Sequence, residues 1–207
     1  MEQETIKEKV KKWGSMKFLP FELPGYIMNY IDMPINFGKM VEELYGNVQG
    51  KKILDVGCGY FPQTATATIH LASKGAIVYG LDKVLKYREH KSELRKHKII
   101  PVAADATEIG KIFKNARFDG IISRAFLGFP FECSFGFGKN NRAATEDFFR
   151  TCYSLTKDNS YNIHYKFNEE NFSLEEKDLE NMGFEVLNFF EEKRNPCGSV
   201  LILRKNL

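Results

Sequence analysis

The chain lacks the features that mark membrane proteins and disulfide-stabilised secreted proteins. None of its apolar runs approaches the roughly 20 residues of a membrane-spanning helix. Residues 1–10 mix acidic and basic side chains without an apolar stretch, so we expect no signal peptide. The chain has no Cys-x-x-Cys pair, which argues against a zinc site or a disulfide framework; its four cysteines are Cys58, Cys133, Cys152 and Cys197. We therefore expect a cytoplasmic chain with reduced thiols, no bound metal and no membrane partner.

The chain also lacks a large excess of charge of either sign. Its 30 basic and 27 acidic side chains leave a net charge of +3, which by itself implies no nucleic-acid or membrane partner. The region from Lys83 to Lys98 is basic, but the region from Glu169 to Glu192 is acidic. This balance favours a solvated helix face at residues 83–98 over a surface that follows phosphates. A nucleic-acid partner is therefore an alternative that the sequence does not favour.

Strand and helix patterns alternate regularly from residue 51 onward. Helix patterns separate five strand patterns, at 53–56, 76–81, 99–104, 118–123 and 161–167. Two further strands, predicted at 184–190 and 199–204, are joined by a segment too short for a crossover helix, so they should be antiparallel. Ser173 and Glu176 are predicted to form a capping box at the start of the helix that ends at Gly183. The pattern predicts an α/β fold: a doubly wound, mostly parallel seven-stranded sheet with a C-terminal antiparallel hairpin.

The length of the chain suits one domain with a short extension. At 207 residues it is long enough to bury a sizeable core. Residues 51–207 are predicted to form the domain that contains the sheet, and residues 1–50 an N-terminal helical extension. We expect this extension to cap the substrate site and to carry substrate specificity.

The segment from 51 to 60 carries the most informative pattern. The apolar residues Ile53, Leu54 and Val56 predict a buried strand, which runs directly into Gly57 and Gly59. Glycines let the backbone approach a ligand closely, and Asp55 adds a carboxylate at the carboxyl end of the strand, where open α/β sheets bind ligands. A dinucleotide fold would need a third glycine three residues after the second. Pro62 occupies that position, so a dinucleotide-binding fold is less favoured.

The Asp-x-Gly-x-Gly pattern at residues 55–59 resembles the first motif of the class I S-adenosylmethionine-dependent methyltransferases. The predicted order of strands and helices over residues 51–207 resembles the Rossmann-like sheet of the same family. The resemblance implies that the chain is a methyltransferase and that its cofactor is S-adenosyl-L-methionine. One departure concerns Phe61, which stands where many members of the family carry Gly or another small residue.

Asp55, Asp82 and Asp105 lie at the carboxyl ends of the first three predicted strands. Parallel strands bring their carboxyl ends to one edge of the sheet, so these three carboxylates should lie close together. Asp82 lies roughly 20 residues after the glycine turn, as ribose-binding acids do, and a carboxylate can accept from both ribose hydroxyls. The resemblance places Asp105 near the adenine amino group and Asp55 near the methionine end. The full set of predicted cofactor contacts is Asp55, Gly57, Cys58, Gly59, Asp82, Lys83, Ala104, Asp105, Ala106 and Arg124.

The segment after the fourth strand is where this family often builds its acceptor site. Here it begins Ser123-Arg-Ala-Phe and lacks the Asn/Asp-Pro-Pro-aromatic motif associated with methylation of base amines, which argues against that activity. A general base is needed only where the acceptor carries a proton of unfavourable pKa. His164 and Glu132 are the candidates for that base, and Arg124 is the candidate anchor for the substrate. Cys133 is expected to be inert as a nucleophile.

Aromatic residues favour a small apolar or aromatic acceptor. They are concentrated in residues 18–35 of the extension and in residues 125–138 after the fourth strand. The second group fits a mobile lid and, equally well, a hydrophobic insertion that packs on the domain or forms an interface between the subunits of a homodimer. Two alternatives remain open. One is an RNA or protein methyltransferase, and the other is a non-catalytic partner subunit whose acceptor space is filled by Phe61 or by the aromatic loop.

Overall fold

Seven strands form one mixed sheet in the computed structural model of the protein, which describes residues 22–23, 26–27, 32–59, 66–127, 142–166, 172–189 and 199–206. In chain order the strands are β1 (Lys52–Val56), β2 (Ile77–Leu81), β3 (Ile100–Val102), β4 (Phe118–Leu127), β5 (Thr156–Lys166), β6 (Phe184–Asn188) and β7 (Ser199–Lys205).

The strands lie side by side in the order β3-β2-β1-β4-β5-β7-β6. Strands β1 to β5 are parallel to one another, whereas β7 is antiparallel to both β5 and β6. The strand order reverses between β1 and β4, so the carboxyl ends of these strands border the crevice where doubly wound folds bind ligands. The predicted seven-stranded sheet with its C-terminal antiparallel hairpin is confirmed.

Helices connect the strands: α1 (Asp32–Tyr45), α2 (Thr66–Ser73), α3 (Arg88–Lys96), α4 (Ile109–Ile112), α5 (Arg142–Leu155) and α6 (Glu176–Asn181). Short 3₁₀ turns at Lys83–Lys86 and Ala106–Glu108 precede α3 and α4. Two further strands of two residues each, Glu22–Leu23 and Tyr26–Ile27, pair with each other outside the main sheet. None of the helices in the described part of the chain is long and apolar enough to cross a membrane.

The sheet is covered by helices on both faces. Successive side chains of a strand point to opposite faces, and on β1 this alternation sends Ile53 and Leu54 into two different cores. The core around Ile53 contains buried side chains of α1, α2 and α3, and the core around Leu54 contains those of α4, α5 and α6. This arrangement is the doubly wound architecture that the alternating pattern predicts.

Helix α1 belongs to the first of these cores. Its residues Phe37, Met40, Val41 and Leu44 are all buried, with the spacing of one face of an amphipathic helix. The predicted N-terminal extension is therefore helical over residues 32–45 and packs against the sheet, whereas residues 1–21 lie outside the described residues. The role of residues 1–50 in substrate specificity stays a prediction.

The beginning of α6 differs from the prediction. Glu175 occupies the N-cap position, and its backbone N–H donates to Asp178 Oδ2 at 2.7 Å. The predicted cap on Ser173 and Glu176 is therefore wrong. The helix begins later than expected, so that Asp178 is the acidic residue three positions after the N-cap that reaches back to it.

An ion pair joins α1 to α2. The Glu42 carboxylate lies 2.7 Å from His70 Nε2 and 3.5 Å from Lys74 Nζ. The hydrogen bond from His70 is the main reason why the pKa of Glu42 is lowered from its ordinary value. The two helices cross closely because Gly38 has no side chain; a Cβ there would lie 3.1 Å from Ala67 Cα.

Replacing Glu42 with Gln is expected to lower the free energy of unfolding at pH 7 by less than about 1 kcal/mol, because the pair lies near the surface. A carboxyl whose pKa is lower in the folded state contributes stability above its unfolded pKa and loses it as the pH falls through the folded pKa. Urea unfolding at pH 7 and pH 3 measures the effect. The difference between the two proteins should shrink at pH 3, and an undiminished difference there would contradict the assignment.

Candidate functional site

A glycine-containing loop folds across the carboxyl ends of β1 and β2. Gly57 and Gly59 have φ angles of 76° and 70°, a left-handed conformation that favours glycine. The backbone N–H groups of Gly57 and Cys58 both donate to Leu81 O, at 2.8 and 3.2 Å. These bonds hold the loop against the last residue of β2, at the edge of the sheet where the sequence predicts the cofactor.

Asp82 fastens this loop from the side of β2. Its Oδ2 accepts a hydrogen bond of 3.0 Å from the Gly59 N–H, and its Oδ1 accepts one of 3.0 Å from the Val84 N–H, which caps the following 3₁₀ turn. The Asp82 N–H donates to Val102 O of β3 at 3.1 Å. One aspartate therefore connects the glycine loop, the end of β2 and the end of β3, and it remains partly exposed to solvent.

Asp105 occupies the corresponding place after β3. Its Oδ1 accepts from the backbone N–H and the hydroxyl of Thr107, at 3.0 and 2.9 Å, and so caps the next 3₁₀ turn. Ala106 is buried and Ala104 half-buried beside it. Because β3, β2 and β1 are neighbours in the sheet, Asp105, Asp82 and the loop lie in one row along its carboxyl edge.

Asp55 is turned towards helix α2. It is only 4% exposed, and its Oδ2 accepts a hydrogen bond from the Thr68 hydroxyl. This contact ties the start of α2 to the strand below the glycine loop. It fits the part of the prediction in which Asp55 orients the loop region; a contact with the methionine end of a cofactor stays a prediction.

The side chain of Cys58 is packed into the core beneath the loop. Cys58 is 2% exposed, and a Cβ at Gly80 would lie 2.9 Å from its Sγ. Gly80 on β2 therefore makes the room in which Cys58 fits. The role of Gly80 could not be predicted from the sequence, because a single glycine within a strand pattern does not show which side chain it accommodates.

Ser123 and His164 form a buried pair where β4 and β5 lie side by side. Both are 0% exposed, and Ser123 Oγ lies 2.8 Å from His164 Nδ1. The rings of Phe148 and Phe149 approach the imidazole edge-on, with centroids 5.9 and 5.2 Å away. No hydrogen-bond partner for Nε2 is found among the described residues. Burial lowers the pKa of His164 to about 3, so the ring is neutral at physiological pH.

A general base must reach the acceptor and titrate near the working pH. Complete burial and a strongly lowered pKa favour a structural role for His164 over a catalytic one, and its catalytic role stays a prediction. The structure describes only the backbone of Arg124, which pairs with Tyr165 of β5. Glu132 and the aromatic loop after residue 127 lie outside the described residues, as do Cys133 and Phe61. Lys83 follows Asp82 in the 3₁₀ turn and is half-exposed.

The burial of His164 predicts a specific acid sensitivity. Unfolded histidine binds a proton below about pH 6.5, but the native imidazole stays neutral down to about pH 3. Stability should therefore fall as the pH drops below 6.5, with a slope that approaches about 1.4 kcal/mol per pH unit from this residue alone. Urea unfolding at pH 7 to pH 4 measures the slope.

The control for this measurement is His164→Asn, whose amide oxygen can take the place of Nδ1 opposite the Ser123 hydroxyl. The variant is expected to lose stability less steeply over the same pH interval than the wild type. Parallel slopes for the two proteins would show that His164 is protonated in the native state, against its assignment as a buried neutral ring.

Comparisons with known proteins identify the architecture. No family model matches the chain, and no curated protein matches it in sequence. The 16S rRNA methyltransferase RsmC of T. thermophilus, in complex with AdoMet and guanosine, matches with a TM-score of 0.56 and 19% identity, over 88% of this chain and 44% of RsmC. The chain thus spans less than half of RsmC.

Two further solved structures match over most of their own length. The magnesium protoporphyrin IX methyltransferase of Synechocystis PCC 6803, with bound SAH, has a TM-score of 0.52 and 15% identity, over 97% of this chain and 94% of that one. A TehB-like SAM-dependent methyltransferase from Corynebacterium glutamicum has a TM-score of 0.54 and 18% identity, over 76% and 82%. The chain therefore has the fold of the class I S-adenosylmethionine-dependent methyltransferases, and the resemblance drawn from its sequence is confirmed at the level of the fold.

Proposed function

We propose that this chain is a methyltransferase that binds S-adenosyl-L-methionine along the carboxyl edge of β1, β2 and β3. The observation that carries the proposal is the hydrogen bond between Gly59 N–H and Asp82 Oδ2. It brings a glycine loop with left-handed backbone and a partly exposed carboxylate together at the edge where this fold binds ligands.

The residues present suit the groups of this cofactor. Each carboxylate oxygen of Asp82 accepts one backbone N–H and keeps a lone pair for a ribose hydroxyl. Asp105, which caps the 3₁₀ turn after the neighbouring strand, would accept from the adenine amino group, with Ala104 and Ala106 beside the ring. The loop from Gly57 to Gly59 would contact the methionine end. These assignments are part of the proposal.

When bound, the cofactor would supply a methyl group that is already activated by its positive sulfur. The task of the protein is then to hold the acceptor in line with that group and to exclude water, rather than to provide covalent chemistry. The rigid row of strand ends suits that task. The solved structures with AdoMet and SAH that share the fold support the choice of cofactor.

There are two candidate classes of acceptor: a small apolar or aromatic molecule and a polynucleotide. The small apolar or aromatic acceptor predicted from the sequence depends on residues 18–35 and 125–138, most of which lie outside the described residues, so it stays a prediction. Solved structures with this fold are named as methyltransferases of 16S rRNA, of ribosomal protein L11 and of magnesium protoporphyrin IX, so the fold serves several acceptor classes. The basic surface of residues 83–98, which follows Asp82, favours a polynucleotide as the acceptor.

Calorimetric titration of the purified chain with S-adenosyl-L-methionine, and separately with NADH, tests the proposal. We expect binding of the first alone, because the third glycine of a dinucleotide site is absent. Binding of NADH alone, or of neither compound, would refute the cofactor assignment. Binding without methyl transfer to any RNA, protein or small-molecule acceptor would identify a non-catalytic relative instead.

A further inference from the structure

The helical segment that follows Asp82 carries a concentration of positive charge. We call it the basic segment and define it by its seven cations: Lys83, Lys86, Arg88, Lys91, Arg95, Lys96 and Lys98. With only Glu89 and Glu93 as acidic residues, seven positive and two negative charges give it a net charge of +5, against +3 for the whole chain. The rest of the chain therefore has a net charge of −2, since the whole chain carries +3 and this segment carries +5.

Several of these cations have no acidic partner in the part of the chain that the structure describes. Glu93 pairs with Lys96 at 2.6 Å and lies 3.9 Å from His97. No carboxylate among the described residues lies within 4 Å of Arg88, Lys91 or Arg95. Arg88 and Arg95 are exposed and Lys91 is half-exposed. Positive side chains close together repel one another, and a polyanion bound along them would reduce that repulsion.

An exposed aromatic ring lies within the same surface. Tyr87 is 49% exposed, and Lys86 Nζ lies 5.1 Å from the centre of its ring. The imidazole of His90 stands edge-on to the ring with the centroids 5.2 Å apart. Aromatic rings among cations are the surfaces on which single-stranded nucleic acids stack their bases while the phosphates contact the charges. A solvated helix face needs the charges but not the ring.

The basic segment is held rigidly on the sheet. Leu85 and Leu94 are buried in the first core, and His90 Nδ1 lies 2.8 Å from Val84 O, which connects α3 to the preceding 3₁₀ turn. The backbone of the segment therefore needs no reordering on binding. The segment begins directly after Asp82, and the nine residues of α3 extend roughly 13 Å along its axis.

We propose that the basic segment binds the backbone of a single-stranded polynucleotide, with a base stacked on Tyr87, and that this polymer is the acceptor substrate. The inference names the substrate class of the proposed methyltransferase and rests on that function. The sequence favoured a solvated face because acidic and basic regions balance along the chain. The structure adds that Arg88, Lys91 and Arg95 lack acidic partners among the described residues, and that the exposed ring of Tyr87 lies beside Lys86.

The test is fluorescence anisotropy with a labelled RNA of about 20 nucleotides, and DNA of the same sequence, at several salt concentrations. The triple variant Arg88→Gln, Lys91→Gln, Arg95→Gln removes three cations and leaves Lys83, a predicted cofactor contact, unchanged. We expect at least a tenfold loss of affinity and a salt slope reduced by about 2, since each phosphate contact of a single strand contributes about 0.7. Tyr87→Ala should lower the affinity about tenfold with an unchanged salt slope.

The matched control is Lys111→Gln, Lys114→Gln, Arg117→Gln, which removes the same charge from exposed positions in α4 and in the segment after it. We expect it to bind RNA within about twofold of the wild type. Equal losses in both triple variants, no binding of either nucleic acid by the wild type, or equally tight binding of a polyglutamate peptide would overturn the inference.

Titration with S-adenosyl-L-methionine separates this inference from the proposed function. Both triple variants should bind the cofactor as the wild type does, since neither changes a predicted cofactor contact. A wild type that binds RNA through the basic segment but does not bind the cofactor would refute the proposed function and leave the binding surface standing. Cofactor binding without RNA binding would refute the surface alone.

Discussion

Replacing Asp82 with Ala is expected to weaken the binding of S-adenosyl-L-methionine by at least about 100-fold. Two hydrogen bonds from ribose hydroxyls to a carboxylate contribute about 1.5–3 kcal/mol each. Even the lower sum of about 3 kcal/mol corresponds to a factor of more than 100 in the dissociation constant. The substitution also removes the acceptor of the Gly59 N–H, which is one of the bonds that hold the glycine loop against the end of β2. Titration calorimetry measures the affinity, and urea unfolding shows whether the fold is retained.

Asp119 provides the matched control for this variant. It lies near the start of β4, at the opposite edge of the sheet, and its carboxylate also accepts two hydrogen bonds: 2.8 Å from Lys52 N–H and 2.7 Å from Lys157 Nζ. Asp119→Ala should lower stability by about 1–3 kcal/mol and leave cofactor affinity unchanged. Retained affinity in Asp82→Ala would refute the ribose assignment. Equal weakening in both variants would show that lost stability, not a lost contact, is the cause.

Replacing Gly120 with Ala is expected to lower the free energy of unfolding by about 3 kcal/mol, at the upper end of typical overpacking costs. The new Cβ would lie 1.8 Å from the Tyr45 hydroxyl oxygen and 2.4 Å from its Cζ, so the ring or the strand must move. Tyr45 cannot move freely, because its hydroxyl donates to Tyr161 O at 2.7 Å and its ring packs edge-on against that of Tyr161. The midpoint of urea unfolding measures the loss.

A double-mutant cycle tests the cause. Gly120→Ala should cost at least about 1 kcal/mol less in a Tyr45→Leu background, because the shorter side chain removes the clash. Gly110→Ala is the control, since its Cβ would meet Thr151 Cγ2 at 3.1 Å and the helical position favours alanine. We expect its effect to stay within about 1 kcal/mol. Equal costs of Gly120→Ala in both backgrounds would show that Tyr45 is not the obstacle.

The positions of the central strands could be predicted from sequence because their pattern is local. Strands predicted at 53–56, 76–81 and 118–123 correspond to β1, β2 and β4, whose apolar runs end in polar or glycine residues. The start of β5, at Thr156, could not be predicted in this way. Thr156 pairs with Phe118, but a register shift separates this pair from the next one, Gly120 with Tyr161. Asn159, with a φ of 58°, lies in β5 between Thr156 and Tyr161. That pairing depends on the partner strand and leaves no pattern in the residues around it.

The candidate site likewise has features that the sequence predicts and contacts that it does not. The spacing of Asp82 and Asp105 after their strands is sufficient to place them at one edge of a doubly wound sheet. The bond from Gly59 to Asp82 joins residues 23 positions apart, and the bond from Thr68 to Asp55 joins residues 13 apart. Gly80 makes room for Cys58 on the adjacent strand. Each of these contacts depends on strand order and register, which a single segment does not contain.

The sequence by itself determined the class of fold, the glycine turn and the row of carboxylates, because periodicity and turn chemistry are properties of neighbouring residues. Only the tertiary structure decided that His164 is enclosed by Phe148, Phe149 and a serine 41 positions away, and hence that it stays neutral. It also decided which cations of residues 83–98 lack acidic partners. Burial and ion pairing are set by segments that meet only in the folded chain, which is why neither could be inferred from the order of residues alone.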